Sequence, residues 1–393
     1  MKAMLAIAAL PFILAACNGS TDKAVASDTS AQEPGALNTG KPFQETAVAD
    51  FNEPWAMTFL PDGKLLVTEK KGMLKIVDPQ SGKIADVGGA PKVDFGGQGG
   101  LGDVVLGPDF ARDKMVYLSW IEAGQGDTRG AVVGRGALNC SQPMACSIDG
   151  LSIIWRQDPK VTGRGHFSHR IAFSLDGQYM FLSSGERQKG APAQDLSNNL
   201  GSVLRLKPDG SVPADNPFAG KGGSGAQVWS YGHRNILGLA FAPNGNLWEN
   251  EMGPKGGDEV NLIKRGENYG WPNASNGSDY DDTDIPDHKP GDGYQPPKVF
   301  WNPSISPASL VYYTGSLFPQ WKDSLFLGGL SGKALIRLKV SDQTATKGDQ
   351  WDMGARIREV EQGPQGALWL LEDGSDGSRG RLLKLTPAPA AAS

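Results

Sequence analysis

The stretch LGLAFAPNGNLWENE, residues 237–251, decides the fold. Its first run carries apolar residues, Pro243-Asn244-Gly245 reverses the chain, and Asn246-Leu247-Trp248 opens a second run. This is the pattern of an antiparallel hairpin. Alternation gives a strand one apolar face, and Pro, Asn and Gly supply the backbone angles of the turn. The same plan recurs as AMTFLPDGKLLVTE (56–69), DVVLGPDFARDKMVYLSW (103–120) and RIAFSLDGQYMFLSSGE (170–186). Weaker copies are SLVYYTGSLFPQWKDSLFLGGL (309–330) and VEQGPQGALWLLED (360–373). Six such units, spaced by about 45–70 residues, predict one blade each. A radial array of four-stranded sheets protects strand edges that isolated hairpins would expose. The expected fold is all-β, a six-bladed β-propeller over residues 43–386. A pair of β-sandwiches would not explain six similar hairpins. The connections 187–227 and 272–300 are too long for blade turns and are expected to be loops that build a site on one face.

Composition agrees with a chain of many turns: 393 residues include 53 Gly and 27 Pro. The net charge is −5 with no basic tract, so nucleic acid has no electrostatic footprint here. Residues 1–17 resemble a bacterial lipoprotein signal. Lys2 is basic, Met4 to Ala16 is apolar but too short to span a bilayer, and Leu14-Ala15-Ala16-Cys17 is similar to a lipobox. Lipidation is expected at Cys17. Asn18 in place of Asp removes the usual inner-membrane retention signal, so an anchor in the outer membrane, on the periplasmic side, is favoured. Residues 18–42 read as a flexible tether and 387–393 as a short tail. Cys140 and Cys146 are expected to pair across a short loop, since no further Cys or His stands near enough for zinc.

Several constellations could carry chemistry. Gly97-Gln98-Gly99-Gly100-Leu101-Gly102 matches G-x-G-x-x-G, but Gly107-Pro108-Asp109 follows at once, leaving no room for the helix a dinucleotide site needs. The glycines instead suit close approach of backbone to a ligand, with Gln98 as the polar side chain. His166 and His169 precede a strand, and Glu186 lies at the far end of the same hairpin. One His could be a general base near that carboxylate while the other packs or faces solvent. Arg234-Asn235 is either a structural pair or an anion clamp. Arg356-Ile357-Arg358 places two guanidinium groups on one strand face, which is costly unless solvent or an anion lies between them and makes it a candidate anion site. Gly253-Pro254 and Asp258-Glu259 offer oxygens to a hard cation or form a solvated acidic loop.

These segments together resemble the soluble pyrroloquinoline quinone (PQQ) dehydrogenases of sugars, the glucose/sorbosone and aldose sugar dehydrogenase family. The resemblance rests on GQGGLGDVVLGPDF, GHFSHRIAF, AQDLSNNLGSVLRL, SYGHRN, GPKGGDEVNLI, NYGWP, FPQWKDSLFLGGL and RIREV, in that order. It implies a six-bladed propeller that oxidises aldoses at C1 to lactones with PQQ and Ca²⁺. Electrons would then leave to an external acceptor or the respiratory chain. It further implies that His166 is the catalytic base, oriented by Glu186. Gln98, Arg234, Asn235, Gly329, Leu330, Ser331, Arg356, Ile357 and Arg358 would bind the cofactor. Gly253 and Pro254 would give carbonyls to the calcium at the cofactor, and Glu259 and Tyr269 would hold a further calcium.

Some residues depart from the family pattern. Gly165 stands where an acid is common, Glu186 replaces an Asp, and Ser331 stands where a Lys is expected, with Lys333 two residues on. Ile236-Leu237 replaces Pro-Gln, and Met252 replaces a His or Gln. The rival readings are a calcium-dependent sugar lactonase and a non-catalytic propeller lipoprotein. The preferred sugar, the acceptor and the oligomeric state are not encoded in any motif.

Overall fold

Each of the six quoted segments closes into an antiparallel hairpin. The pairs are Pro54–Phe59 with Leu65–Glu69, Leu101–Leu106 with Met115–Ala123, and Ser168–Phe173 with Met180–Ser184. They continue as Ile236–Phe241 with Leu247–Glu251, Pro307–Tyr313 with Ser324–Gly329, and Ile357–Gln362 with Leu368–Glu372. The structure is a computed structural model that describes Asn38 and residues 40–389. Cys17, the expected signal and most of the expected tether lie outside the described residues. Among the described residues no helix is long and apolar enough to cross a membrane.

The sheets are four-stranded meanders, with one fusion. Ser202–Leu206 and Val228–Tyr231 extend the third hairpin, and Asp258–Ile263 and Val299–Trp301 extend the fourth. Ala334–Ser341 and Thr344–Asp352 extend the fifth. The sixth gains Arg381–Pro387 and then the N-terminal strand Phe43–Asp50, so one sheet is built from both ends of the described chain. The first two hairpins belong to a single nine-stranded sheet. They merge because Lys83–Gly88 pairs in parallel with Ala145–Arg156, Val87 opposite Cys146 and Gly88 opposite Ser147. That second strand belongs to a long hairpin with Thr128–Gln142, and Cys140 and Cys146, directly opposite one another, form a disulfide.

Burial explains the sequence pattern. The second strand of each hairpin lies between neighbouring sheets. Leu65–Glu69, Met180–Ser184, Leu247–Glu251 and Leu368–Glu372 are buried at every position, so they read as continuous runs rather than alternating ones. Among the described residues the core divides into six apolar clusters; five are shared by two successive sheets, and the sixth lies chiefly between the two halves of the nine-stranded sheet. Trp248 and Val260 pack on Leu325 and Leu327, for example, and Leu65 and Val67 pack on Trp369 and Leu371. The first strands of the hairpins touch in sequence, and the last, Ile357–Gln362, touches the first, Pro54–Phe59.

The two connections expected to be loops are more ordered than that. Residues 187–227 contain the strand Ser202–Leu206, whose five-residue SVLRL is short and has no adjacent apolar run to complete a hairpin. Residues 272–300 contribute Gly277–Ser278, paired with Lys255–Gly256, before reaching the edge strand Val299–Trp301.

Candidate active site

His166 and Glu186 meet because the hairpin register places Ser168 opposite Ser184, leaving both residues just beyond the paired ends. His166 Nδ1 and Glu186 Oε1 share a short hydrogen bond. The other carboxylate oxygen accepts from the backbone N–H groups of Lys189 and Gly190. Burial pushes the Glu186 carboxyl up, but the hydrogen bond and charge of His166, helped by Gly190 N–H and Arg234, hold it below its usual range. An ionised carboxylate can only accept, so Nδ1 carries the proton and Nε2 keeps a lone pair. Burial, together with the positive charges of Arg234 and Arg187, depresses His166 below the ordinary imidazole value despite the opposing pull of Glu186. The ring is therefore a neutral base at pH 7.

The surrounding backbone is forced into this arrangement. His166, Ser168 and His169 all have positive φ, at 49°, 57° and 71°. Each costs on the order of 1–2 kcal/mol for a residue with a Cβ. The segment is held by Arg187, which is buried, stacks 3.7 Å from Phe167 and donates to the carbonyls of Gly165, Arg129 and Gly163. Gln98 accepts from the backbone N–H of His166 at 2.7 Å. At Gly165 a Cβ would lie 2.6 Å from the Gln188 carboxamide, so any side chain there must displace Gln188.

His169 is a packing residue. Its ring stacks on Trp55 at 4.9 Å, and its Nδ1 shares a 2.7 Å hydrogen bond with Ser119 Oγ. Burial drives its pKa down to about 3. At Gly102 a Cβ would lie 1.9 Å from this ring, which is why the glycine run continues to that position.

Two cavities open around these groups. One, of about 350 Å³, is lined by Trp55, Gln98, Asn235, Leu330, Arg356 and Arg358 among others. The second, of about 410 Å³, is lined by His166, Glu186, Gln188, Arg234, Trp271 and Tyr280 among others. Tyr280 borders both and is 66% exposed. Its hydroxyl accepts from Arg234 at 3.1 Å. A third cavity, of about 130 Å³, lies between the first strands and holds Asp103, Arg170, Glu359 and Glu361. There Arg170 lies 2.6 Å from Glu359 and stacks on Trp55.

The two arginines of Arg356-Ile357-Arg358 do converge, and the anion between them is a protein carboxylate. Asp373 accepts from Arg356 Nε at 2.7 Å and from Arg358 at 2.8 Å. Burial opposes that charge, but the charge of Arg358 and hydrogen bonds from Ser375 and both arginines hold the Asp373 carboxyl far below its usual range. Ile357 is fully buried in the core between the last two sheets, so its side chain does not reach the cavity predicted to hold the cofactor. Ser331 sits at the edge, sharing a 2.8 Å hydrogen bond with Ser306, which lines the cavity. Gly329 is buried in its strand, and its neighbour Leu330 does line the cavity.

Around the Gly232–Asn235 turn the acidic residues divide by role. Asp258 is a structural acceptor: it takes the N–H groups of Gly253, Ile305 and Ser306 and the hydroxyl of Ser304. Arg234 donates to the carbonyls of Met252 and Gly253 at 2.9 and 3.0 Å, so the positive charge at Gly253 is already a guanidinium. Glu259 and Tyr269, with Glu251, Gly253 and Ser275, line a pocket of only about 10 Å³. Glu259 is buried, and burial with the charge of Glu251 pushes its carboxyl well up.

The chain matches the family model for Glucose / Sorbosone dehydrogenase over residues 51–384. It belongs to that family. The sugar dehydrogenase is 39% identical over 343 residues to aldose sugar dehydrogenase YliI of Escherichia coli, covering 86% of this chain and 90% of that one. The apo-form soluble aldose sugar dehydrogenase of Escherichia coli superposes with a TM-score of 0.82 at 38% identity, over 88% of this chain and 100% of that one. The PQQ-bound aldose sugar dehydrogenase of Streptomyces coelicolor superposes at 0.73 and 30% identity, over 88% and 98%.

Four contributors to the dehydrogenase site carry no motif: Trp55, Arg187, Tyr280 and Asp373. Trp55 opens a strand as an ordinary core aromatic would, and Tyr280 lies in a loop without apolar periodicity. Arg187 directly follows Glu186, and that adjacency was the available signal.

Proposed function

We propose that this dehydrogenase is a quinoprotein that oxidises aldoses at C1 to lactones. We read its fold as a six-bladed propeller, supported by six hairpins, six apolar clusters between successive hairpin units and the ring of first strands. The single observation that carries the activity is the His166–Glu186 pair, whose cavity meets an arginine-lined cleft at Tyr280.

The cleft's donor set fits PQQ, a flat aromatic tricarboxylate. Arg356, Arg358 and Lys70 offer cationic donors, Gln98 and Asn235 offer amides, and Trp55 offers an apolar wall. Asp373 neutralises part of this charge and fixes the two guanidinium planes, which preorganises them. The group's chemistry, when bound, is acceptance of hydride from the sugar C1. His166 Nε2 takes the proton of the anomeric hydroxyl, and Glu186 stabilises the resulting imidazolium. Trp271 and Tyr280 wall the sugar cavity, while Gln188 places a carboxamide beside the base.

A calcium ion fits Glu259 better than Gly253 and Pro254; Tyr269 would offer it a backbone carbonyl, since its hydroxyl donates to Leu262 O and accepts from Lys264 N–H. Glu259 is a buried carboxylate with no Lys or Arg ion pair among the described residues, whereas Arg234 already sits on the Gly253 carbonyl. The proposal includes an anchor at Cys17 in the bacterial cell envelope. It also includes an external electron acceptor or the respiratory chain as the partner that would reoxidise the cofactor.

Reconstitution decides the matter. Protein loaded with PQQ and Ca²⁺ should show a visible spectrum that changes on adding an aldose, with reduction of a dye. Bound cofactor without turnover on a broad aldose panel overturns the reading, and lactone hydrolysis without PQQ would replace it with a lactonase.

A further inference from the structure

Behind the Gly232–Asn235 turn lies a second cluster of metal-binding side chains. His233, Glu249 and Glu251 each offer an atom within 4.8 Å of the others, and all three are buried. His233 Nδ1 is 3.0 Å from Glu251 Oε1 and 3.8 Å from Glu249 Oε1. Three atoms so spaced leave a central point roughly 2 Å from each, the length of a metal–nitrogen or metal–carboxylate bond.

The cluster lacks charge balance. Glu249, Glu251 and Glu259 lie together, and their ion-pair partners among the described residues are the imidazoles of His233 and His288. Asn261 bridges Glu249 and Glu259 through one amide nitrogen, at 2.7 and 3.1 Å, and cannot supply charge. Buried carboxylates without a counter-charge are costly. Unused donors and acceptors also point inward. Glu249 Oε2 and Asn261 Oδ1 are buried without a hydrogen-bond partner. So are both ring nitrogens of His288, a residue 6% exposed that comes from a different segment and lies 3.8 Å from Glu259.

The outer contacts suit ligation. His233 Nε2 lies 2.9 Å from Ser230 Oγ and Nδ1 shares a 3.0 Å hydrogen bond with Glu251 Oε1, so with Nε2–H donated to the hydroxyl a metal would take the place of the proton between Nδ1 and Glu251. Glu251 Oε2 accepts the backbone N–H of Arg234 at 2.5 Å, fixing its carboxylate plane. Tyr269 stacks on the His233 ring at 4.5 Å and holds its orientation.

We infer that His233, Glu249 and Glu251 form a site for a small transition-metal dication, Zn²⁺ or Mn²⁺. It adjoins the calcium position at Glu259 and Tyr269, whose pocket Glu251 also lines, but His233 and Glu249 belong to it alone. An imidazole nitrogen and a compact donor set select against Ca²⁺, which takes six to eight oxygens at longer distances. The metal pins the turn carrying Arg234 and Asn235 to the strand Leu247–Glu251. This site stands on geometry independent of the proposed dehydrogenase activity.

The test is metal binding by the full chain. Metal-free protein is titrated calorimetrically with Zn²⁺, Mn²⁺ and Ca²⁺ in turn, for wild type and for Glu249→Gln. That substitution keeps shape and removes charge. Wild type should take one equivalent of Zn²⁺ or Mn²⁺ in the presence of saturating Ca²⁺, with a rise in melting temperature. Glu249→Gln should weaken that binding at least about 100-fold while Ca²⁺ uptake persists. His233→Gln serves as a second arm and should show the same loss. Saturable transition-metal binding that is unchanged in Glu249→Gln overturns the site, as does uptake of Ca²⁺ alone by wild type. Sugar oxidation is measured separately, so its failure would sink the dehydrogenase reading and leave this one standing.

Discussion

The base and its partner lend themselves to separate tests. His166→Ala should lower kcat by about 10²–10⁴-fold with PQQ binding intact, as expected for loss of a positioned general base. Because burial depresses His166, the acid limb of kcat/KM should lie below the ordinary imidazole value of 6.5. Activity needs the neutral ring, so the rate rises with pH through that depressed pKa. Glu186 favours the charged ring, and Glu186→Gln should therefore shift the limb further toward acid while lowering the plateau. A limb that moves toward alkali in pH–rate profiles would contradict this electrostatic picture. His166 and Glu186 were legible in sequence because hairpin ends that share a register lie together. Asp373 was not, because its role is set by Arg356 and Arg358, 17 and 15 residues away on another strand. The RIR pattern pointed to solvent or an anion between the arginines without saying that the protein supplies the anion.

Among elements, the glycine run and the long hairpin carry different loads. Gly102→Ala drives a methyl into the His169 ring, which is itself wedged against Trp55, and should cost roughly 1–3 kcal/mol or more by overpacking. Denaturant titration should show this as a lower midpoint with unchanged slope. Replacing Cys140 and Cys146 with Ser should cost no more than about 2 kcal/mol, since the loop they close is short. Strand pairing already places the two residues opposite each other, so the hairpin should survive reduction. The hairpins were readable because turn chemistry is local. The parallel seam of Val87 with Cys146 was not, since nothing in either segment names the other. Ser202–Leu206 likewise takes its identity from the neighbours it pairs with.

For the molecule as a whole, stability and pH are coupled through groups held far from water. His169 has a pKa of about 3 when folded, against 6.5 for the free side chain. Between those values the unfolded chain binds the extra proton, so this group adds stability as pH rises, by about 1.4 kcal/mol per pH unit. Buried Glu359, raised to about 7, pulls the other way above the ordinary carboxylate range. His169→Gln should therefore lose the first slope: its stability relative to wild type should improve steadily as pH falls from 6.5 to 4. Parallel curves for both proteins would refute the linkage.

The sheet that joins Phe43–Asp50 to Arg381–Pro387 has a consequence in time. Gln44 and Thr386 are hydrogen-bonded 342 positions apart, so the earliest strand among the described residues waits for the latest of them. Until then the nascent chain carries an open seam, with Phe43 unable to reach Trp321 and Trp351. Pairings this remote in sequence make folding slow. Completion of this sheet is thus a late event, and a growing chain stays unlatched, available to chaperones or transport machinery, until Arg381–Pro387 arrives.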